Sequence, residues 1–385
     1  MTGQALFRKE LKDVRTIVVK TGSRILTAAG HERRVERLAA DLSALRKSGA
    51  RVVLVSSGAI AHGMKALGLD KRPSEIPMQQ ACAGIGQNRL MAIYQEHFAK
   101  HDTLIGQVLL TWDDLRSKKR YLNLRNTLFK LFDCGAIPIV NENDSVSVEE
   151  ICFGNNDTLG AQIAMLVNAD VLVNLTDVGG LYDKNPHTEK DAKHIPVVSA
   201  VSVGIQKMAG DKKSEISVGG MSTKLKAAEM VTRAGIPALI GDGFSQSLLT
   251  VLKDESRATL FLPSDKKIPS RQRWIAFTGQ SAGSIVVDAG ASKAITEKGK
   301  SLLAAGITKV SGRFNAGDMV DIVDTRGDVI AKGLVNFSTD EVEAIRGCKT
   351  AEVEKKLGAI RFNEVILRDN MVVAPDGQKS CPAEK

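Results

Sequence analysis

Up to about Phe261 the chain alternates between two hydrophobic periods. Continuous apolar, β-branched runs read as buried strands at Thr16–Lys20, Arg51–Ser57, Ala136–Val140, Asp170–Thr176 and Ile236–Ile240, with a further apolar run over Thr103–Leu110. Between them apolar residues recur at helical spacing over Arg33–Lys47, Gln79–Lys100, Leu122–Cys134, Thr158–Asn168 and Met221–Ala234, and Gly49 follows the first of these as a C-cap. Strands that are apolar on both faces and alternate with helices predict an α/β fold, a mainly parallel sheet covered on both sides. In such sheets ligands sit beyond the carboxyl ends of the strands, so the residues just after each strand are the candidates for chemistry.

After Leu262 the pattern changes. The segment 263–275, with two prolines and several basic residues, predicts a linker between a first domain over 14–262 and a second over 276–372. The second domain reads as a small, mostly β module. Its short runs Ser284–Asp288, Met319–Asp324 and Val329–Val335 are separated by Gly-, Asp- and Asn-rich turns, with one short helix near Ser292–Lys298.

Composition changes this picture only in part. The 385 residues suit two domains, and no stretch approaches the ~20 apolar residues that cross a bilayer, so no membrane association is expected. Five scattered cysteines without a C-x-x-C pair predict a reducing, cytoplasmic setting. The net charge of +9 raises a nucleic-acid partner, but from Ala276 onward 15 basic residues balance 15 acidic ones. The excess therefore lies in the first domain, where it suits an enzyme that handles anions, and RNA binding by the second module is not expected.

The loops after the strands carry the candidate chemistry. Lys20 ends the first strand in KTGSR; a surface lysine would explain it alone, but an ammonium beside glycine-opened N–H groups also suits a phosphoryl group in transfer. SSGAIAHG (Ser56–Gly63) places hydroxyls and glycines at a helix start, yet Met64-Lys65 in place of Lys-Ser/Thr excludes a Walker A loop. GIGQNR (Gly84–Arg89) lacks the third glycine and follows no strand, which leaves tight helix packing as its explanation. NENDSV (Asn141–Val146) and GNNDTL (Gly154–Leu159) crowd amides and carboxylates into one stretch. Turn and cap preferences account for some of these; the group also suits an amino acid, with carboxylates for its ammonium and amides for its carboxylate. Val218–Glu229 sets two glycines, Ser222, Thr223 and Lys224 at a helix start, either a cap with a surface lysine or an anion cradle with a second cation. His97 and His101 stand four apart without a third ligand and read as a solvated face.

In this order, VVKTGS, VVLVSSGAIAHG, PIVNENDSV, FGNNDTL, LTDVGGLY and GGMSTK resemble the glutamate 5-kinase branch of the amino-acid kinase family. LTD…GLY and GG-M-x-T-K are shared with acetylglutamate and uridylate kinases, whereas SSGAIAxG and NENDxV are particular to the branch. SIVVDAGASKAI, LLAAGITKVSGRFNAGDMVDI and DVIAKGLVNFS resemble a PUA domain. The resemblance implies a three-layer αβα sandwich followed by a PUA-like domain. It implies ATP-dependent phosphorylation of the glutamate γ-carboxylate, the first step toward proline, with Mg²⁺ accompanying ATP. It assigns Lys20, Lys224 and Asp157 to catalysis, with Asp157 orienting the lysines. Ser57, Asp144 and Asn156 would hold glutamate; Lys20, Thr176, Asp177, Val218, Gly219, Gly220, Met221, Ser222, Thr223 and Lys224 would bind ATP, and no residue is assigned as a metal ligand. It further implies feedback inhibition by proline near the glutamate loops, a homo-oligomer, and glutamyl-phosphate reductase as a functional partner. Arg24, after Ser23, departs from the K-x-G-[ST]-S pattern of many members. Two alternatives stand beside this reading: a kinase for another carboxylate or a phosphate acceptor, and an RNA-binding regulator acting through the second module.

Overall fold

The structure is a computed structural model and describes residues 11, 13–147, 156–186, 188–208, 220–253, 258–264, 270–277, 281–358 and 362–373. The chain divides into two compact units, Met1–Ile268 and Pro269–Lys385.

In the first unit the predicted apolar runs form β1 (Thr16–Thr21), β2 (Arg51–Val55), β3 (Ile105–Leu110), β4 (Ile137–Glu142) and β5 (Val171–Thr176). Two short strands, β6 (Leu181–Tyr182) and β7 (His194–Ile195), pair as a hairpin, and β8 (Val197–Val198), β9 (Ala238–Asp242) and β10 (Ala258–Phe261) complete the set. Eight strands make one sheet in the order β3-β4-β2-β1-β5-β9-β10-β8. Every pairing is parallel except that of β9 with β10. All six residues of β1, β4 and β5 are buried, which is why these segments read as unbroken apolar runs. β4 runs two residues further than Ala136–Val140 and takes Asn141 and Glu142 into the strand.

The two-residue period of the strands sorts their side chains between the two faces. Ile17 and Val19 of β1, Val52 and Leu54 of β2, and Val171 and Val173 of β5 pack with Leu38, Leu42, Leu90, Tyr94 and Phe98 from the His31–Lys47 and Ile76–Ala99 helices. Val18, Lys20, Leu172 and Asn174 consequently fall on the opposite face. There the Asn156–Leu166 helix comes so close that a Cβ on Gly160 would lie 3.3 Å from the Lys20 Cβ.

Two glycines seat the Ala59–Ala66 helix against the Ile76–Ala99 helix. A Cβ on Gly86 would stand 1.8 Å from the Ala59 carbonyl oxygen, and one on Gly63 would stand 1.8 Å from that of Cys82. Helix packing therefore accounts for Gly86, the second glycine of GIGQNR, but not for the first, Gly84; it also accounts for Gly63, the last glycine of SSGAIAHG. The histidine reading is corrected: His97 is buried at 7% exposure because it sits on the core face of the Ile76–Ala99 helix with Tyr94 and Phe98.

The second unit holds a five-stranded sheet, β12-β11-β13-β14-β15, built from β11 (Gly283–Val287), β12 (Ile307–Gly312), β13 (Met319–Val323), β14 (Val329–Leu334) and β15 (Met371–Val373). Its own core gathers Ile285, Val320, Ile322, Phe314 and Ile366. Three further features depart from the sequence reading. The segment expected to be linker is helical over Ser270–Phe277, because Trp274 and Ile275 are buried inside a stretch whose prolines and basic residues suggest solvent. Beyond the Ala289–Thr296 helix, this unit also carries Thr339–Ile345 and Thr350–Leu357. The first of these starts on a capping box between Ser338 and Glu341, a signal too short to register as a periodic pattern.

The glycine contacts predict opposite outcomes from one substitution made two residues apart. Gly86→Ala drives a methyl into a backbone carbonyl and should cost about 3 kcal/mol, lowering the melting temperature by roughly 6–12 °C. Gly84→Ala, on the same helix, meets nothing within 4 Å and should stabilise by about 0.5–1 kcal/mol. Thermal unfolding of both variants checks this; a tolerated Gly86→Ala would mean the two helices are not in contact there.

Candidate functional site

The carboxyl ends of β1, β2, β4 and β5 meet at one edge of the sheet, and the polar residues of the first unit converge on it. β1 and β5 are direct neighbours in register, with Lys20 opposite Asn174. Both lie on the face covered by the Asn156–Leu166 helix, and that helix carries Asp157 in its first turn.

Asp157 is the centre. Its side chain is fully buried and receives four donors. On Oδ1 it accepts from the Lys20 ammonium at 2.5 Å and from Asn174 Nδ2 at 2.9 Å. On Oδ2 it accepts from Thr223 Oγ1 at 2.7 Å and faces the Lys224 ammonium at 3.4 Å. Lys20 and Lys224 are themselves only 5% and 6% exposed, so neither is a surface lysine. Burial pushes the Asp157 carboxyl up, but the two ammonium groups with the Lys20 and Thr223 hydrogen bonds outweigh it and hold the group ionised, well below the usual carboxylate range. Burial also lowers Lys20, and the Asp157 charge opposes that drop. One carboxylate thus organises two ammonium groups, and the trio sums to one positive charge, an arrangement suited to an anion.

A second network lies between β2 and β4. Asn156 Nδ2 reaches the Ser56 carbonyl at 2.8 Å, Ser57 Oγ at 2.9 Å and Asn141 Oδ1 at 3.0 Å. Asn141 Nδ2 donates to Gln87 Oε1 at 2.8 Å. Ser56 Oγ pairs with the Tyr94 hydroxyl at 2.9 Å. Gly58, in the left-handed region at φ 94°, turns the chain from Ser57 into the Ala59–Ala66 helix. Asp144 stands in the turn that follows β4, partly exposed.

On the remaining side, Thr176 ends β5 and its hydroxyl donates to Asp177. Gly22 N–H donates to the Leu175 carbonyl, which ties the loop after β1 to the end of β5. The departing residue Arg24 uses that proximity: its guanidinium forms an ion pair with Asp177. Gly220 caps the Met221–Arg233 helix, and Met221, Ser222 and Thr223 form its first turn. Val218 and Gly219 lie outside the described residues.

Eight of the site residues read from the sequence fall into three groups at the carboxyl ends of the strands. Lys20, Asp157, Thr223 and Lys224 are in direct contact, Ser57 and Asn156 are in direct contact, and Thr176 and Asp177 form a third pair. Asn174 and Gln87 join these groups in the structure. Asn174 had a signal, a lone amide inside an apolar strand, whereas Gln87 had none beyond its place in GIGQNR.

Comparison with known proteins matches the chain in two parts: the amino acid kinase family over residues 15–242 and the PUA domain over residues 283–357. The glutamate 5-kinase of Syntrophus aciditrophicus is 44% identical over 366 residues, 94% of this chain and 95% of that protein. The glutamate 5-kinase of Citrifermentans bemidjiense is 45% identical over 371 residues, 95% of this chain and all of that protein. The crystal structure of UMP kinase from Ureaplasma parvum aligns with a TM-score of 0.43 and 16% identity, over 65% of this chain and 99% of that one.

The Asp157 cluster carries a stability prediction. Asp157→Asn leaves two buried ammonium groups facing each other and should destabilise the first unit by about 3–5 kcal/mol. A carboxyl held below its unfolded value contributes its full stability above that value, near 3.8; the contribution declines as pH drops below it and is lost only as pH falls through the lower folded value. The gap between the native protein and Asp157→Asn in urea titrations should then be constant at neutral pH and narrow below pH 3.8. A gap that stays unchanged into acid would show that Asp157 is not the ionised centre of the cluster.

Proposed function

This chain belongs to the amino acid kinase family, in its glutamate 5-kinase branch with a C-terminal PUA domain, and on that premise we propose that its site transfers the γ-phosphoryl group of ATP to the side-chain carboxylate of L-glutamate. The product is γ-glutamyl phosphate, and the reaction opens proline biosynthesis. One observation carries the assignment of roles: two buried ammonium groups, from β1 and from the Met221–Arg233 helix, share the single carboxylate of Asp157.

In this reading glutamate is held by Ser57, Asp144 and Asn156, beside the ends of β2 and β4. ATP lies along Thr176, Asp177 and the 218–224 segment, and its phosphates reach the two lysines. The acceptor carboxylate is already ionised at neutral pH, so no general base is required. It attacks the γ-phosphorus in line, and the bond from that phosphorus to the bridging oxygen of ADP breaks. Lys20 and Lys224 stabilise the charge on the phosphoryl oxygens as it passes between acceptor and leaving group. Asp157 holds both lysine side chains in place, so little reorganisation is needed during transfer.

Mg²⁺ fits this site as a companion of the nucleotide. The Asp157 oxygens are already engaged by Lys20, Asn174, Thr223 and Lys224, so the ion would be held chiefly by phosphate oxygens and water. When bound it neutralises phosphate charge. Proline inhibition at the glutamate loops, homo-oligomerisation, a cytoplasmic setting and hand-over of the acyl phosphate to glutamyl-phosphate reductase extend the same reading. Among the described residues no helix is long and apolar enough to cross a membrane.

The test is a coupled assay of ADP release. Glutamate should support turnover that requires Mg²⁺, while acetylglutamate, aspartate and UMP should not. Lys20→Ala and Lys224→Ala should each lower kcat by about 10²–10³. Asn156→Ala should raise the KM for glutamate far more than that for ATP. Equal turnover with acetylglutamate or UMP would overturn the substrate assignment, and a folded lysine variant with near-normal kcat would remove that lysine from the mechanism.

A further inference from the structure

Gln87 lies outside the loops that carry the recognised motifs, yet it closes the amide chain at the candidate glutamate site. It sits on the Ile76–Ala99 helix, 8% exposed, one residue after the glycine that seats this helix against Ala59. Two backbone groups of fixed polarity determine how the chain is oriented. The Glu142 N–H can only donate, and it donates to Asn141 Oδ1 at 2.9 Å. Asn141 must then present its NH₂ to Gln87, and the atom that Gln87 offers in return is its oxygen, at 2.8 Å. From the other end, the Ser56 carbonyl can only accept, and it accepts from Asn156 Nδ2 at 2.8 Å. Asn156 therefore turns the same NH₂ toward Asn141 Oδ1 and toward Ser57 Oγ, its two hydrogens shared among the three acceptors.

This polarity decides what Ser57 can do. A hydroxyl that accepts from Asn156 keeps its own hydrogen for another acceptor, and a substrate carboxylate is such an acceptor. Flipping the Gln87 amide would set its NH₂ against the Asn141 NH₂, donor against donor. Flipping Asn141 would lose both its bonds to Gln87 and to the Glu142 N–H. The orientation is kept although it leaves Gln87 Nε2 and Asn156 Oδ1 buried without a partner among the described residues. Unpaired buried amide atoms are costly, so the chain forgoes local hydrogen-bond satisfaction for one fixed direction.

From this geometry we infer that Gln87 is a positioning residue for the acceptor substrate: by accepting from Asn141 Nδ2 it holds in place the amide whose orientation the Glu142 N–H sets, and with it the Asn141 Oδ1 that receives Asn156, the amide that leaves the Ser57 hydrogen for the substrate carboxylate. The inference rests on the glutamate kinase reading and deepens it. Gln87 acts through Asn141 and Asn156 and touches neither nucleotide nor phosphoryl group, so its effect belongs to glutamate binding alone.

The experiment is steady-state kinetics on the full chain with Gln87→Met, Asn141→Ala and the double variant, alongside melting temperatures. Gln87→Met keeps the length of the side chain and removes both amide atoms. It should raise the KM for glutamate about tenfold, the worth of one hydrogen bond's orientation, and leave the KM for ATP within about twofold. Because Gln87 works through Asn141, the double variant should be no worse than Asn141→Ala alone. An unchanged KM for glutamate, equal rises for both substrates, or effects that multiply in the double variant would each overturn the inference. Should Gln87→Met fail to fold, Gln87→Ala takes its place in the same cycle. Absence of glutamate turnover in the native protein would sink the parent reading and this inference with it, whereas native turnover with an indifferent Gln87 variant would sink only the inference.

Discussion

The site depends on one buried carboxylate. An ammonium group removed from water is costly to keep charged, and this site buries two. Asp157 makes that possible by meeting both, while Asn174 and Thr223 fill the rest of its acceptor capacity. The consequence is mechanical as well as electrostatic. Lys20 comes from a strand, Lys224 from a helix more than two hundred residues later, and Asp157 from a helix between them in sequence. Fixing all three fixes β1, the Asn156–Leu166 helix and the Met221–Arg233 helix against one another. The charge cluster proposed to stabilise the transferring group and the tertiary arrangement of the first unit therefore share the same contacts.

The acceptor side is organised by a different physical device. There the groups are neutral amides and hydroxyls, whose hydrogen bonds are individually modest, so placement alone does not specify a function. Direction does. Backbone groups at Glu142 and Ser56 fix the orientation of the side-chain amides between them, and the close approach at Gly63 and Gly86 keeps the helix bearing Gln87 at the right depth. A packing contact and a link of the amide chain are thus joined on neighbouring residues of one helix. The ionic cluster and the amide chain meet at Asn156 and Asp157, adjacent residues that face different partners.

The PUA unit has its own sheet and core and carries none of the candidate catalytic residues. Its capping box, short helices and turn-rich strands are held by local signals, in contrast to the first unit, where the chemistry comes from strand ends far apart in sequence. Arg24 illustrates the limit of a motif. The motif shows only that Arg24 departs from a familiar pattern; in the structure it engages Asp177, because Gly22 and Leu175 bring the two loops together.

By itself the sequence determined the parallel sheet, since strands buried on both faces must be apolar throughout and must alternate with helices. It also marked the loops at the strand ends, because Lys20, Ser57, Asn156, Asp157 and Lys224 interrupt apolar or helical patterns where a ligand would lie. Only the tertiary structure decided which of these touch. From its neighbours alone Asp157 also fits a helix cap, and it is the resemblance that assigns it to orient the lysines; nothing local distinguishes a cap from the centre of a two-lysine cluster. His97 read as solvent-facing because a histidine is compatible with either face of a helix, and burial is settled by what packs against it. Gln87 is silent for a related reason: its hydrogen bond is to a residue 54 positions away, and amide polarity is set by three-dimensional partners, which no local pattern encodes. The Ser270–Phe277 helix escaped notice because prolines and charges outweigh two apolar residues in a composition, while in the fold the two apolar residues are the ones that are buried.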